Sequence, residues 1–223
     1  MQAMRWIVLL LGAAAMAMAQ GGARVTGRVA MLEKKGKPSP DLGAAVVFLE
    51  RGGAPARPDT VEIAINDKAF VPRVVVVPVG STVRFANRDP VDHNVFSASD
   101  SNQFDLAQYG RGAIRAQTFA HPGLVRVFCN IHPRMVAFVQ VMNGRLFTQP
   151  ASDGSFVMAD VPPGAYTLHV WHERSPEVTR DVRVTAAGAA GVDVELDARG
   201  FRWVPHKNKY GEDYPTNEGL ERY

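Results

Sequence analysis

A single cysteine, Cys129, is the whole thiol content of this 223-residue chain. That excludes an internal disulfide framework, a cysteine-rich zinc finger and a thiolate-held iron–sulfur cluster within one chain. Strong charge of one sign is missing too. Twenty-five Lys and Arg against 22 Asp and Glu leave a formal charge of only +3, spread evenly, which predicts no nucleic-acid partner. After the first 20 residues no apolar run is long enough to span a bilayer. There is no Gly-rich phosphate loop and no Gly-x-Ser-x-Gly elbow. With 46% hydrophobic and 21% charged residues, the composition is that of a globular protein with room for one or two cores.

What is present begins with an export signal. Arg5 precedes an apolar run from Trp6 to Met18, and Ala17-Met18-Ala19 reads as a small-residue cleavage site before Gln20. Residues 1–19 are therefore expected to be a signal peptide, and the product to be soluble and periplasmic, with no transmembrane segment after cleavage. In an oxidising compartment a lone thiol must be buried, paired with another chain, or occupied. A metal would occupy it.

The rest of the chain reads as nearly all β. Short β-rich runs recur at Val25–Val29, Ala45–Glu50, Val61–Ile65, Arg73–Val77, Thr82–Asn87, Gln117–Phe119, Val125–Phe128 and Ala137–Met142. Turn signals such as Pro78-Val79-Gly80-Ser81 and His121-Pro122-Gly123 separate them, a rhythm that suggests a Greek-key sandwich or barrel. A Gly/Pro-rich linker covers Arg51–Asp59. A second β pattern runs through Ser155–Met158, Tyr166–Trp171, Thr179–Val184 and Val192–Leu196. The polar, aromatic stretch Phe201–Tyr223 is expected to be an extended tail, ordered only where it packs on another surface.

The chemistry concentrates in Cys129-Asn130-Ile131-His132-Pro133-Arg134-Met135, which sets a thiolate, an imidazole and a thioether at three-residue intervals after an apolar strand. A second imidazole lies upstream in Asp92-His93-Asn94-Val95-Phe96. Two His, one Cys and one Met make the donor set of a blue-copper site: the sulfurs suit Cu(I), and imidazole serves both oxidation states. Zinc is the competing metal for the same His, His and Cys, although a thioether serves it poorly. His169 and His172, three apart on a strand, point to opposite faces and are not expected to share an ion. His121 and His206 are expected to be solvated.

At these residues the chain resembles the cupredoxins. The Cys-x-x-His-x-x-Met loop is similar in spacing to that of amicyanin, and His93-Asn94-Val95 resembles the upstream His motif of plastocyanin and amicyanin. The resemblance covers about residues 61–142. It implies His93, Cys129, His132 and Met135 as ligands of one copper ion, and Asn94 as a tie between the two ligand loops. It also implies His132, flanked by Ile131 and Pro133, as the electron port. Arg134 and the long segment from Ser97 to Gly112 depart from the family pattern.

Asp153-Gly154-Ser155-Phe156, followed by Asp160-Val161-Pro162-Pro163-Gly164-Ala165-Tyr166-Thr167-Leu168, resembles the carboxypeptidase regulatory-like (prealbumin-like) sandwich. The opening strands of that family are matched only near the N-terminus, by Gly27-Arg28-Val29 and Ala45-Val46-Val47. The expected architecture is thus all-β: a cupredoxin Greek-key sandwich (61–142) inserted into a prealbumin-like sandwich built from 24–50 and 143–198, with a tail over 199–223. The expected role is a periplasmic one-electron carrier with one blue-type copper ion and no enzymatic activity. Its partner would be a redox protein, whether dehydrogenase, cytochrome or oxidase. The alternatives are an envelope interaction protein with an accessory copper site, and copper storage or delivery.

Overall fold

The computed structural model describes residues 22–50 and 55–214. The expected signal peptide and the last nine residues lie outside the described residues. Sixteen strands make up the described residues, with three short 3-10 turns as the helical pieces among them. Two come first, β1 (Ala23–Leu32) and β2 (Val46–Leu49). Nine follow: β3 (Thr60–Asn66), β4 (Ala69–Val71), β5 (Val74–Pro78), β6 (Thr82–Asn87), β7 (His93–Ser97), β8 (Phe104–Tyr109), β9 (Ile114–Thr118), β10 (Gly123–Cys129) and β11 (Val136–Met142). The last five are β12 (Phe147–Thr148), β13 (Ser155–Val161), β14 (Gly164–His172), β15 (Ser175–Val184) and β16 (Val194–Asp197).

The nine middle strands form two sheets, β5-β11-β10-β7-β8 and β4-β3-β6-β9. Alternation along each strand decides what lies between them. In β10, Val125, Val127 and Cys129 are buried in one cluster with Ile63, Ile65, Val83, Phe85, Val95, Phe119, Val139 and Met135, while Arg126 faces out. The cysteine and methionine of the ligand motif are thus part of this core.

The strands on either side of the middle nine pair with each other. β1 lies between β13 and β16, with Gly27 opposite Phe156 and Val29 beside Val194. β2 lies between β12 and β14, with Val47 opposite Val170. Residues 25–49 and 146–196 share a second core that includes Val25, Val29, Val47, Leu49, Phe156, Leu168, Val170 and Leu196. Gly154, in the turn before β13, needs its glycine. Its φ is +84°, and a Cβ there would meet the Val29 carbonyl oxygen at 2.1 Å.

The two sandwiches are joined by a third, mixed cluster in which Val46 and Trp171 meet Val74, Val136, Phe138 and Phe128. The Phe138 and Trp171 rings meet edge-on, 5.2 Å apart. Across the same boundary Arg73 forms a two-pronged pair with Glu173, one prong 2.7 Å, and also donates to the Val136 carbonyl at 3.1 Å.

Four strands escaped the sequence reading: Ala69–Val71, Phe147–Thr148, His93–Ser97 and Phe104–Tyr109. The last two fall in stretches read as the upstream ligand motif and as an irregular departure. They form the edge of the larger sheet, with His93 opposite Tyr109 and Phe96 opposite Asp105.

Candidate metal centre

The positions of the candidate ligands follow from strand pairing. β7 starts at His93 and β10 ends at Cys129, and the two strands are antiparallel neighbours with Cys129 opposite Val95. The end of one strand therefore lies against the start of the other. The loop from Asn130 to Met135 turns tightly before β11, closed by Met135 N–H donating to the His132 carbonyl at 3.1 Å. Cys129 N–H in turn reaches the Met135 carbonyl at 3.3 Å.

Three donors converge as a result. The Nδ1 atoms of His93 and His132 each lie 3.6 Å from Cys129 Sγ, and the three donor atoms all fall within 4.8 Å of one another. Donors held about 2.0–2.3 Å from one shared ion have about this separation, so the spacing suits a single metal. His93 and Cys129 are fully buried and His132 is half-buried. Met135 is buried with Cys129 in the same core. Among the described residues this is the one group of three His, Cys or acidic side chains close enough to share an ion.

Electrostatics prepare the donors for a metal. His93 Nε2 lies 2.8 Å from an oxygen of buried Asp89. Burial pushes the Asp89 carboxyl up, but N–H bonds from Lys68 and Asp67 and the bond to His93 outweigh it and leave it below the usual range. Asp89 is therefore an ionised acceptor, His93 carries its proton on Nε2, and Nδ1 presents a lone pair toward Cys129. Burial pushes the His93 imidazolium down as well, which keeps the ring neutral. It also pushes the Cys129 thiol up; backbone N–H groups of Ile131, Asn94 and His132 oppose that rise without cancelling it. The Ile131 N–H is 3.4 Å from the sulfur. A buried neutral thiol of this kind resists oxidation, and those N–H groups are ready to stabilise a thiolate.

The Asn94 carbonyl accepts from Asn130 N–H at 2.9 Å, a backbone bond between the two candidate ligand loops. The Asn94 side-chain amide turns instead to Asp105, 2.6 Å away. Sequence reasoning missed Asp89 and Asp105. A carboxylate four residues before His93, in an Asp-Pro turn, was the available signal for the first.

The sequence reading also missed the lid over the loop. The tail is expected to be ordered only where it packs on another surface, and the described part of it packs on the candidate ligand loop; His206, expected to be solvated, is instead half-buried there. Phe96 and Phe128, on the outer side of β7 and β10, need cover, and His206 stacks on Phe128 with centroids 4.3 Å apart. Tyr214 donates its hydroxyl proton to the Cys129 carbonyl at 2.7 Å. Lys209 donates its backbone N–H to Asn130 Oδ1 at 2.8 Å and its ammonium to Asp105 at 2.6 Å. Burial pushes the His206 imidazolium down, so the stacked ring is neutral. His169 and His172 stay apart, as expected from their spacing. His169 stacks on Phe48 and pairs with Glu177, and His172 is buried against Asp41.

No protein-family model and no curated protein matches the sequence. Solved structures do resemble part of it. The purple cupredoxin of Nitrosopumilus maritimus is 26% identical over 37% of this chain and 99% of its own, with a TM-score of 0.34. An amicyanin variant is 26% identical over 37% of this chain and 82% of its own, with a TM-score of 0.35. The copper-containing nitrite reductase of Thermus scotoductus is 25% identical over 51% of this chain but only 28% of its own, with a TM-score of 0.36. In this chain two sheets share one core, and a Cys-x-x-His-x-x-Met loop and an upstream His meet at one end of it. Over that part the chain is similar to cupredoxins.

The two sheets that carry these residues span 60–142, and the flanking strands and the tail make up the rest of the described residues. No helix among the described residues is long and apolar enough to cross a membrane.

Proposed function

We propose that the chain is an exported one-electron carrier holding one copper ion of the blue type. The observation that carries this reading is the convergence of His93 Nδ1, His132 Nδ1 and Cys129 Sγ, each nitrogen 3.6 Å from the sulfur, with Met135 buried in the same core as Cys129. His93, Cys129 and His132 hold the metal, and Met135 is its weak fourth donor. When bound, copper supplies reversible one-electron chemistry. The protein keeps the donors in place in both oxidation states: Asp89 fixes the His93 ring, the β7–β10 pairing fixes Cys129 against His93, and the Asn94–Asn130 bond joins the two ligand loops. Filling all four positions with side chains leaves none for a substrate, which supports a carrier over an enzyme.

Export rests on the N-terminal motif from Arg5 to Ala19, and the periplasm is the compartment it suggests. In the same reading the copper unit, residues 61–142, is an insertion into a sandwich made by 24–50 and 143–198. The pairing of β1 with β13 and of β2 with β14 supports that division.

The test is the visible spectrum of the purified chain after Cu(II) is added. The expected result is an intense thiolate-to-copper band that bleaches on reduction with copper retained and is lost entirely in Cys129→Ala. Copper binding without that band, or a band that survives in Cys129→Ala, overturns the reading.

A further inference from the structure

The described tail, 199–214, changes what a partner meets beside the ligand loop. The outer face of β7 and β10 presents Phe96 and Phe128, and His206 lies against both rings, so a docking protein reaches the tail there rather than the sheet. Beside His206 the tail turns apolar groups outward. Trp203 is 43% exposed and Val204 74% exposed, side by side on the tail. They form one wall of a cleft of about 350 Å³ whose other lining includes Arg126, Phe128 and Phe201.

The exposed charge around these apolar residues that lacks an ion-pair partner is mostly basic. Arg126, Arg134 and Arg202 are exposed and form no ion pair among the described residues. Arg134 belongs to the ligand loop, and its guanidinium sits over the Trp203 ring at 5.8 Å, so the patch starts at the loop itself. The neighbouring acids are neutralised within the protein: Glu173 by Arg73, Asp105 by Lys209 and Asp213 by Lys207. Glu212, which accepts from Asn208, is the acid of this segment without a basic partner.

We propose that the surface formed by Arg126, Arg134, Arg202, Trp203 and Val204 is the docking site for an acidic redox protein. The proposal rests on the electron-carrier reading. An apolar centre with a positive rim fits a partner that has an apolar contact ringed by carboxylates. Opposite fields steer such encounters, and the contact can stay small enough for fast release. The tail thus supplies the docking surface that would otherwise be bare sheet and loop.

The test uses the full copper-loaded chain and a purified acidic single-haem cytochrome as probe, with a basic cytochrome of similar size as control. The visible band is recorded first in every variant, and electron exchange is then followed by stopped flow across ionic strength. Exchange with the acidic probe is expected to slow as salt rises, and to fall about tenfold or more at low salt in R126E/R202E, both outside the ligand loop. Trp203→Ala should slow it at every ionic strength. The basic control should not slow in R126E/R202E. An intact band with exchange indifferent to salt and to R126E/R202E overturns the docking proposal alone. So does faster exchange in Trp203→Ala, which would make the tail a cover. A missing band in the unsubstituted chain overturns the carrier reading, and this proposal with it.

Discussion

Asp89 accepts a hydrogen bond from His93 across 2.8 Å, and both side chains are buried. The carboxylate is itself fixed by the N–H groups of Asp67 and Lys68, in the short turn between β3 and β4. One ligand of the candidate metal centre is therefore oriented by a turn in the opposite sheet. The chain Asp67/Lys68 to Asp89 to His93 Nε2 leaves only Nδ1 for a metal.

Replacing Asp89 with Asn keeps the size and removes the charge. An Asn offers one acceptor oxygen in place of the two that Asp67 N–H, Lys68 N–H and His93 Nε2 share. The ring thus loses its charged acceptor, and the proton is no longer held on Nε2, away from the proposed metal position at Nδ1. Copper affinity should fall roughly 10- to 100-fold, the range for loss of a ligand's orienting partner. Competition against a chelator of known affinity measures this. An affinity unchanged in Asp89→Asn would show that the carboxylate does not set the tautomer.

Tyr214 reaches Cys129 from the other side. Its hydroxyl donates to the Cys129 carbonyl, and burial pushes the phenol well above its ordinary range, so it is a donor at any working pH. Tyr214→Phe removes the bond to the Cys129 carbonyl, and a weaker 3.4 Å one to His206 Nδ1, from a half-buried site. The expected cost is about 0.5–1.5 kcal/mol against denaturant. Amide exchange should quicken in the loop from Asn130 to Met135, while the β14–β15 pairing keeps its protection. Equal acceleration in both regions would mean that Tyr214 does not act locally.

Much of this was legible in the sequence because it is local. Alternation in β10 buries Cys129, and the three-residue spacing of Cys129, His132 and Met135 fits within one tight loop. The separation of the matching motifs, Gly27-Arg28-Val29 from Asp153-Gly154-Ser155-Phe156, gave notice that distant strands pair. What stayed hidden depends on long-range contacts. Nothing near Tyr214 or His206 states that they lie on Cys129 and Phe128, 85 and 78 positions away in the chain. The one trace was Phe96 and Phe128, large apolar groups at outward positions of their strands, which imply a cover without naming it. β8 was hidden for another reason: Asp105, Ala107 and Gln108 are polar or small, because an edge strand facing water needs little apolar surface.

The Arg73–Glu173 pair joins the two sandwiches where Phe138 meets Trp171. The Glu173 side chain is only 10% exposed, so Arg73→Ala leaves a nearly buried carboxylate with no partner. Discounted for the half-open arginine, the cost should be about 2 kcal/mol. Because the pair crosses the boundary, calorimetry should show the single melting transition of the parent broadening or splitting. A sharp, unsplit transition in Arg73→Ala would place the coupling in the apolar cluster around Val46, Val74 and Val136 instead.

His172 gives the second sandwich a defined acid sensitivity. The ring is buried, accepts the Arg174 N–H on Nδ1, and directs Nε2 at the Asp41 carbonyl 3.3 Å away. A proton added to Nδ1 would break the Arg174 bond. Burial pushes the imidazolium down; the Asp41 carboxylate opposes this, the Arg174 guanidinium adds to it, and Glu173 opposes it weakly. The folded ring therefore titrates below the unfolded one, which takes up its proton near pH 6.5. Above that pH both states are neutral and the contribution is fully present. As pH falls below about 6.5 the unfolded chain binds a proton that the folded chain refuses, so stability declines until the folded pKa is passed. Denaturant midpoints taken from pH 7.5 to 5 should fall in the parent. The slope should be shallower in His172→Gln, which has no proton to take up. Equal slopes in the two proteins would assign the acid sensitivity to other groups.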